Sequence, residues 1–235
     1  MRFILARQER VPLTETNKPK FFYGYVVVAV DVRGAGASYG MREGTFSEPE
    51  KDDLYDMTEW LAAQPWCDGN VGMYGGSYLG TAQYWAATTA PPHLKAIFPA
   101  VGPFEGYPQA YPGGVFNDKM LAMWQMGNIF LDVLMPAAPV DEDTDGSMLA
   151  EAIEEHMGNL DTHLYAKSLP YRDSQSTLPA RPGPQSFLEH FLSEVRNSGI
   201  PMYHWAGWYD MFPRDQLLWF RNLDNPHLST LTIIS

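Results

Sequence analysis

With 235 residues, of which 45% are hydrophobic, the chain can bury one full α/β domain with an insertion, or two small domains. Twenty-eight acidic against sixteen basic side chains give a formal net charge of −12, which repels phosphate and argues against nucleic acid or an anionic membrane as partner. A small or cationic substrate fits this charge better, and the single cysteine, Cys67, excludes an intrachain disulfide and a cysteine-based zinc cluster.

Phe3 to Ala6 and Tyr25 to Val32 are apolar runs rich in β-branched residues, which predicts two central parallel strands. The chain then turns through Asp31-Val32-Arg33-Gly34, Gly36 and Gly40. Ser47 with Glu50 predicts a capping box ahead of a helix that carries Leu54, Met57 and Leu61 and ends before Pro65. A turn at Asp68-Gly69-Asn70 leads to a strand from Val71 to Tyr74, a glycine-rich turn from Gly75 to Gly80, a helix over Thr81 to Ala90 and a strand over Leu94 to Val101.

This β-α-β-α-β rhythm predicts an α/β fold, a mostly parallel sheet with helices on both faces and sites at the carboxyl ends of the strands. From Gly102 to Ser198 the rhythm gives way to helical segments near Asn117 to Met135, Ser147 to Met157 and Gln185 to Arg196, so 102–198 is expected to be a helical cap. It interrupts an α/β core made of 1–101 and 199–235. The core resumes with a strand over Pro201 to Trp205, a loop through Gly207-Trp208-Tyr209-Asp210, a helix near Arg214 to Asn222 and a strand from Ser229 to Ser235.

Ser77 falls between the Val71 strand and the following helix, the place of a nucleophile elbow. The match to G-x-S-x-G is imperfect, because Leu79 takes the second position after Ser77 and Gly80 comes one residue late. A plain glycine-rich turn or a phosphate-cradling loop is the competing reading. However, no P-loop Gly-Lys-Ser/Thr follows, and the glycines do not take dinucleotide-binding spacing. The six histidines, His93, His156, His163, His190, His204 and His227, show no metal-ligand spacing, so neither a metal nor another cofactor is expected. No apolar stretch reaches membrane-spanning length.

Taken together, Asp31-Val32-Arg33-Gly34 with Gly36, Ser38 and Gly40, Asp56 and Trp60, Gln64 through Gly72, Gly75-Gly76-Ser77-Tyr78-Leu79-Gly80 and Gly207-Trp208-Tyr209-Asp210 resemble a serine hydrolase family. That family includes cocaine esterase, α-amino acid ester hydrolases, glutaryl acylases and X-prolyl dipeptidyl peptidases. Its elbow reads Gly-x-Ser-Tyr-x-Gly, so the late glycine becomes a family mark. The resemblance implies an α/β-hydrolase fold, Ser77 as nucleophile, the Tyr78 backbone amide as an oxyanion donor and Asp210 as the acid that orients a histidine. For Asp210 the competing reading is a solvated loop aspartate or helix cap. Trp208 and Trp124 are candidate substrate-binding aromatics, and the substrate class is a small ester or a short peptide.

Two positions depart from the family pattern. The family's histidine follows the strand after the acid, and none of the six histidines matches it; His227 precedes the last strand and His204 lies within a strand. The base is therefore expected outside this sequence, which reads as an internal piece of a longer protein that turns substrate over poorly by itself. The family's oxyanion tyrosine is also missing, with Val11 near its place and Tyr23 as a nearby alternative. These departures keep a second reading open, a non-catalytic remnant or binding module of the same fold. Met120, Met123, Trp124 and Met126 form a stripe expected to be helix-packing core or, alternatively, an apolar pocket roof. Asp141 to Asp145 and Glu151 to Glu155 read as a solvated face, and a homo-oligomer is compatible with the sequence.

Overall fold

The computed structural model describes residues 25–135, 137–176, 188–223 and 229–234. In chain order its elements are α1 (Glu48–Ala62), β1 (Val71–Gly76), α2 (Tyr78–Thr88), β2 (Leu94–Ala100), the short α3 (Tyr107–Ala110), α4 (Asp118–Ile129) with a π-helical turn (Phe130–Leu134), α5 (Ser147–His156), α6 (Thr162–Lys167), α7 (Leu192–Asn197), β3 (Met202–Gly207), α8 (Pro213–Leu223) and β4 (Ser229–Ile234). They fall into two compact units, one within Met1–Thr45 and Asp118–Lys167, the other within Phe46–Asn117 and Ser168–Ser235.

The second unit holds the sheet. Among the described residues four strands lie in the order β1-β2-β3-β4, every neighbouring pair parallel. Parallel neighbours need crossovers, and crossovers of one hand that always advance the same way fall on one face. That face is closed by α2, α7 and α8, whose Tyr84, Trp85, Val195 and Trp219 pack with Leu94, Ile97 and Met202 from the strands. In α2, every residue from Gly80 to Ala87 is buried. Small side chains at 80, 82, 86 and 87 let this helix lie close on the sheet. The opposite face carries an aromatic ladder in which Phe98 stacks on Tyr203 at 4.8 Å and meets Trp205 edge-on at 5.5 Å. Tyr74, Tyr203 and Trp205 remain exposed there.

Two local expectations fail in the region before β1. Tyr25 to Val32 forms no strand, and no ladder among the described residues includes it. An apolar run becomes a strand only when a neighbour accepts its backbone hydrogen bonds. Ser47 does precede α1, but its side chain makes no capping hydrogen bond, and Glu50 turns away from the helix terminus. The expected strand at Phe3 to Ala6 lies outside the described residues.

The other unit is held by a buried polar cluster. Arg42 pairs with Asp132 at 2.5 Å, Asn159 bonds the Arg42 amide and the Gly34 carbonyl, and His156 places its two ring nitrogens on the carbonyls of Asp132 and Ser38. The acidic stretch is not simply a solvated face. Asp143 is buried and accepts the Met148 and Leu149 amides at the start of α5, while Glu151 and Glu155 accept from Tyr39 and from the Gly40 amide. Nor is the methionine stripe packed core. Only Gln125 of α4 is buried, and Met123, Trp124 and Met126 are exposed.

Candidate active site

Ser77 stands between the end of β1 and the first residue of α2, with φ 58° and ψ −121°. A non-glycine residue in this region costs on the order of 1–3 kcal/mol and persists only where the surroundings enforce it. The enforcing contacts are visible. The Ser77 amide donates to the Ala100 carbonyl at the end of β2 (3.0 Å), and its carbonyl accepts the amides of Gly80 and Thr81. Gln83, buried in α2, donates to the Gly75 and Leu79 carbonyls and accepts the Phe98 amide of β2.

Two glycines are sterically required by this turn. At Gly75, φ is +153° and an added Cβ would lie 2.6 Å from the Cβ of Leu79. At Gly80 an added Cβ would lie 2.4 Å from the Ala100 oxygen, the same atom that receives the Ser77 amide. The glycine that comes one residue late is thus the one that lets α2 start hard against β2. A serine at a helix start usually caps the first turn with its hydroxyl. Here the positive φ turns it away, no cap hydrogen bond forms, and the exposed Ser77 hydroxyl stays available for chemistry.

Tyr78 opens α2, so its amide belongs to the N-terminal turn whose N–H groups point out of the helix. Because the Ser77 amide is committed to Ala100, the Tyr78 amide is the elbow's candidate oxyanion donor. The Tyr78 side chain is held as well. Its hydroxyl donates to Glu50 at 2.5 Å and its ring stacks on Phe46 at 4.4 Å.

Asp210 follows β3 in a turn in which its amide donates to the Gly207 carbonyl and its carboxylate accepts the Phe212 amide at 2.9 Å. The side chain is exposed, as is Trp208, whose amide donates to Ile234 of β4. Gly76 pairs with Ala100 and Ala100 with Trp205, so the Ser77 and Asp210 turns leave the same carboxyl edge. The strands they follow are separated by two inter-strand spacings, about 9–10 Å. Trp124 belongs to the other unit.

The described histidines have other partners. His93, just before β2, pairs with Glu59 at 2.6 Å, and His163 pairs with Asp118. His204 is fully buried in mid-strand, with Tyr84 Oη at 2.6 Å from Nδ1 and Ser229 Oγ at 2.8 Å from Nε2. Burial lowers its pKa to about 4 and pushes the Tyr84 phenol well above its ordinary value. It is a packed histidine joining α2 to β3. His227, Val11 and Tyr23 lie outside the described residues. No group of His, Cys, Asp and Glu among the described residues has the arrangement of a metal site.

Sequence reasoning missed two residues that build the elbow. Glu50 carried a signal, but a helix-capping one, and its real partner is 28 residues away. Gln83 carried none beyond being a polar residue in an otherwise apolar helix.

A parallel sheet whose carboxyl edge presents a strained serine on a strand-to-helix turn places this chain in the α/β-hydrolase class. Its sequence matches the X-Pro dipeptidyl-peptidase (S15) family over residues 6–234, and the chain belongs to that family. It is 33% identical over 211 residues to the cocaine esterase of a Rhodococcus strain, a match covering 84% of this chain and 36% of that protein. It is also 33% identical over 101 residues to a Lactobacillus helveticus Xaa-Pro dipeptidyl-peptidase, covering 37% of this chain and 12% of the peptidase. The crystal structure of a CocE/NonD family hydrolase from Staphylococcus aureus superposes with a TM-score of 0.66 at 26% identity, covering 92% of this chain and 34% of that one. The chain spans about a third of the length of the curated relatives it matches over most of its own length.

Proposed function

We propose that the natural protein carrying this sequence is a serine hydrolase that cleaves ester or amide bonds of small molecules or short peptides through an acyl-enzyme. The observation that carries this reading is the enforced positive-φ serine at the carboxyl edge of the sheet. Ser77 attacks the substrate carbonyl, a histidine takes its proton, and the Tyr78 amide receives the developing oxyanion. Asp210 orients that histidine and stabilises its charged form. The last residues of β4 lie beside the β3 end that leads to Asp210, so both strands deliver the chain to the same edge. Without a histidine to take its proton Ser77 remains a neutral alcohol and a poor nucleophile. The exposed Trp208, in the turn that leads to Asp210, contributes to substrate preference.

An activated ester mixed with the natural protein should give a burst of one acyl equivalent per Ser77, and Ser77→Ala should remove it. A burst that survives Ser77→Ala ends this reading.

A further inference from the structure

Glu50 is a costly residue where it stands. Only 1% of it is exposed, and a carboxylate taken out of water is expensive unless its partner returns something. A glutamate in the first turn of a helix can serve from solvent as a cap or dipole partner. This one is buried and accepts the hydroxyl of Tyr78, the residue after the nucleophile. A second tie, from Trp85 Nε1 to the Ser47 carbonyl at 3.0 Å, holds the same end of α1 to α2 two turns farther along.

We infer that Glu50 is a positioning residue for the oxyanion hole: by receiving the Tyr78 hydroxyl it fixes the side chain, and through the shared Cα the direction of the Tyr78 amide beside Ser77. This rests on the reading of Ser77 as nucleophile. The ring of Tyr78 is clasped between the Phe46 face and the Glu50 carboxylate, and its backbone leaves a turn whose amide and carbonyl are already committed. Loss of one oxyanion donor costs about 10²- to 10³-fold in kcat, and a donor merely misaimed loses part of that. A neutral acceptor at position 50 keeps the clasp, because geometry and not charge is what it supplies.

The test is steady-state hydrolysis of p-nitrophenyl acetate by the natural protein, with fluorophosphonate labelling of Ser77 as a parallel readout. Glu50→Ala should lower kcat about 10- to 100-fold with KM changed less than about threefold, since the lost contact acts on the transition state. Tyr78→Phe, which removes only the hydroxyl, should reproduce the loss, and the double variant should be no worse than either single one. Glu50→Gln should recover most of kcat. Full kcat in Tyr78→Phe, losses that multiply in the double variant, a change in KM alone, or a Glu50→Gln as poor as Glu50→Ala would each overturn the inference. Should Glu50→Ala fail to fold, Tyr78→Phe and Glu50→Gln decide it. A wild-type protein that is not labelled at Ser77 overturns the nucleophile reading itself, whereas normal labelling with an unimpaired Tyr78→Phe overturns only the role of Glu50.

Discussion

The turns after β1 and β3 leave the same edge of one sheet and are built in opposite ways. Around Ser77 the serine amide and carbonyl and the Gly75 carbonyl are all engaged in hydrogen bonds, two glycines are required by contact, and Gln83 and Glu50 support the turn from buried positions. Around Asp210 the side chains face solvent, with Tyr209 94% exposed, and among the described residues the aspartate carboxylate bonds its own turn. The proposed roles account for the difference: a nucleophile must be held in a strained conformation before substrate arrives, so its supports have to be rigid and close by, whereas an orienting carboxylate takes its final geometry from the histidine it faces.

The most severe way to break this contrast is at Ser77, the proposed nucleophile. Ser77→Ala should lower kcat by about 10⁵- to 10⁶-fold, the scale seen when a serine nucleophile is removed, with the thermal midpoint unchanged. Asp210→Asn should cost about 10³- to 10⁴-fold, because the histidine loses its orienting charge. The exposed turn around it should leave the urea midpoint where it was, and a lost midpoint would mean that this turn is structural after all.

His204 ties the two sides together, since it joins the elbow helix to the strand that leads to Asp210. Its folded pKa of about 4 lies below the ordinary 6.5, so between these values the unfolded chain binds a proton that the folded chain refuses. Its contribution to stability is therefore complete above pH 6.5 and is lost as pH falls towards 4, by up to about 3 kcal/mol. Urea titrations at pH 7 and pH 4.5 should show the drop, and His204→Phe should flatten it; an equally steep profile in that variant would assign the drop to other groups.

Smaller changes sharpen the contrast further. Gly80→Ala drives a methyl into the Ala100 carbonyl and should destabilise by about 1–3 kcal/mol, read as a lower urea midpoint. Tyr209→Ala, the matching truncation at the other turn, should stay within about 0.5 kcal/mol. Equal shifts for the two variants would erase the distinction between the turns.

The elbow was legible in the sequence because its requirements are local. A short apolar strand, closely spaced glycines, a serine and a helix-forming run lie within a few residues, and each constrains the backbone of its neighbours. The strands at Val71, Leu94, Pro201 and Ser229 were legible for the same reason, and the structure places them side by side in parallel. The resemblance of Gly75 to Gly80 to the family elbow identified Gly80 as a mark, and the contact with Ala100 supplies its reason. Where local pattern was the only guide to a distant partner, it misled. Ser47 and Glu50 have capping-box spacing but make no box, Tyr25 to Val32 has strand composition but no ladder, and the Met123 stripe has core spacing but faces out.

By itself, then, the sequence determined the parallel α/β rhythm, the place of Ser77 and the family. All three follow from short-range sterics and from the periodicity of apolar side chains, which a chain carries wherever it folds. Tertiary structure alone decided that Glu50 receives the Tyr78 hydroxyl, that Gln83 braces the elbow against β2, that His204 is buried and neutral, and that the Ser77 and Asp210 turns share one edge. Each of these joins residues far apart in the chain, and a hydrogen bond or a strand register between distant segments is set by packing, which no local pattern encodes.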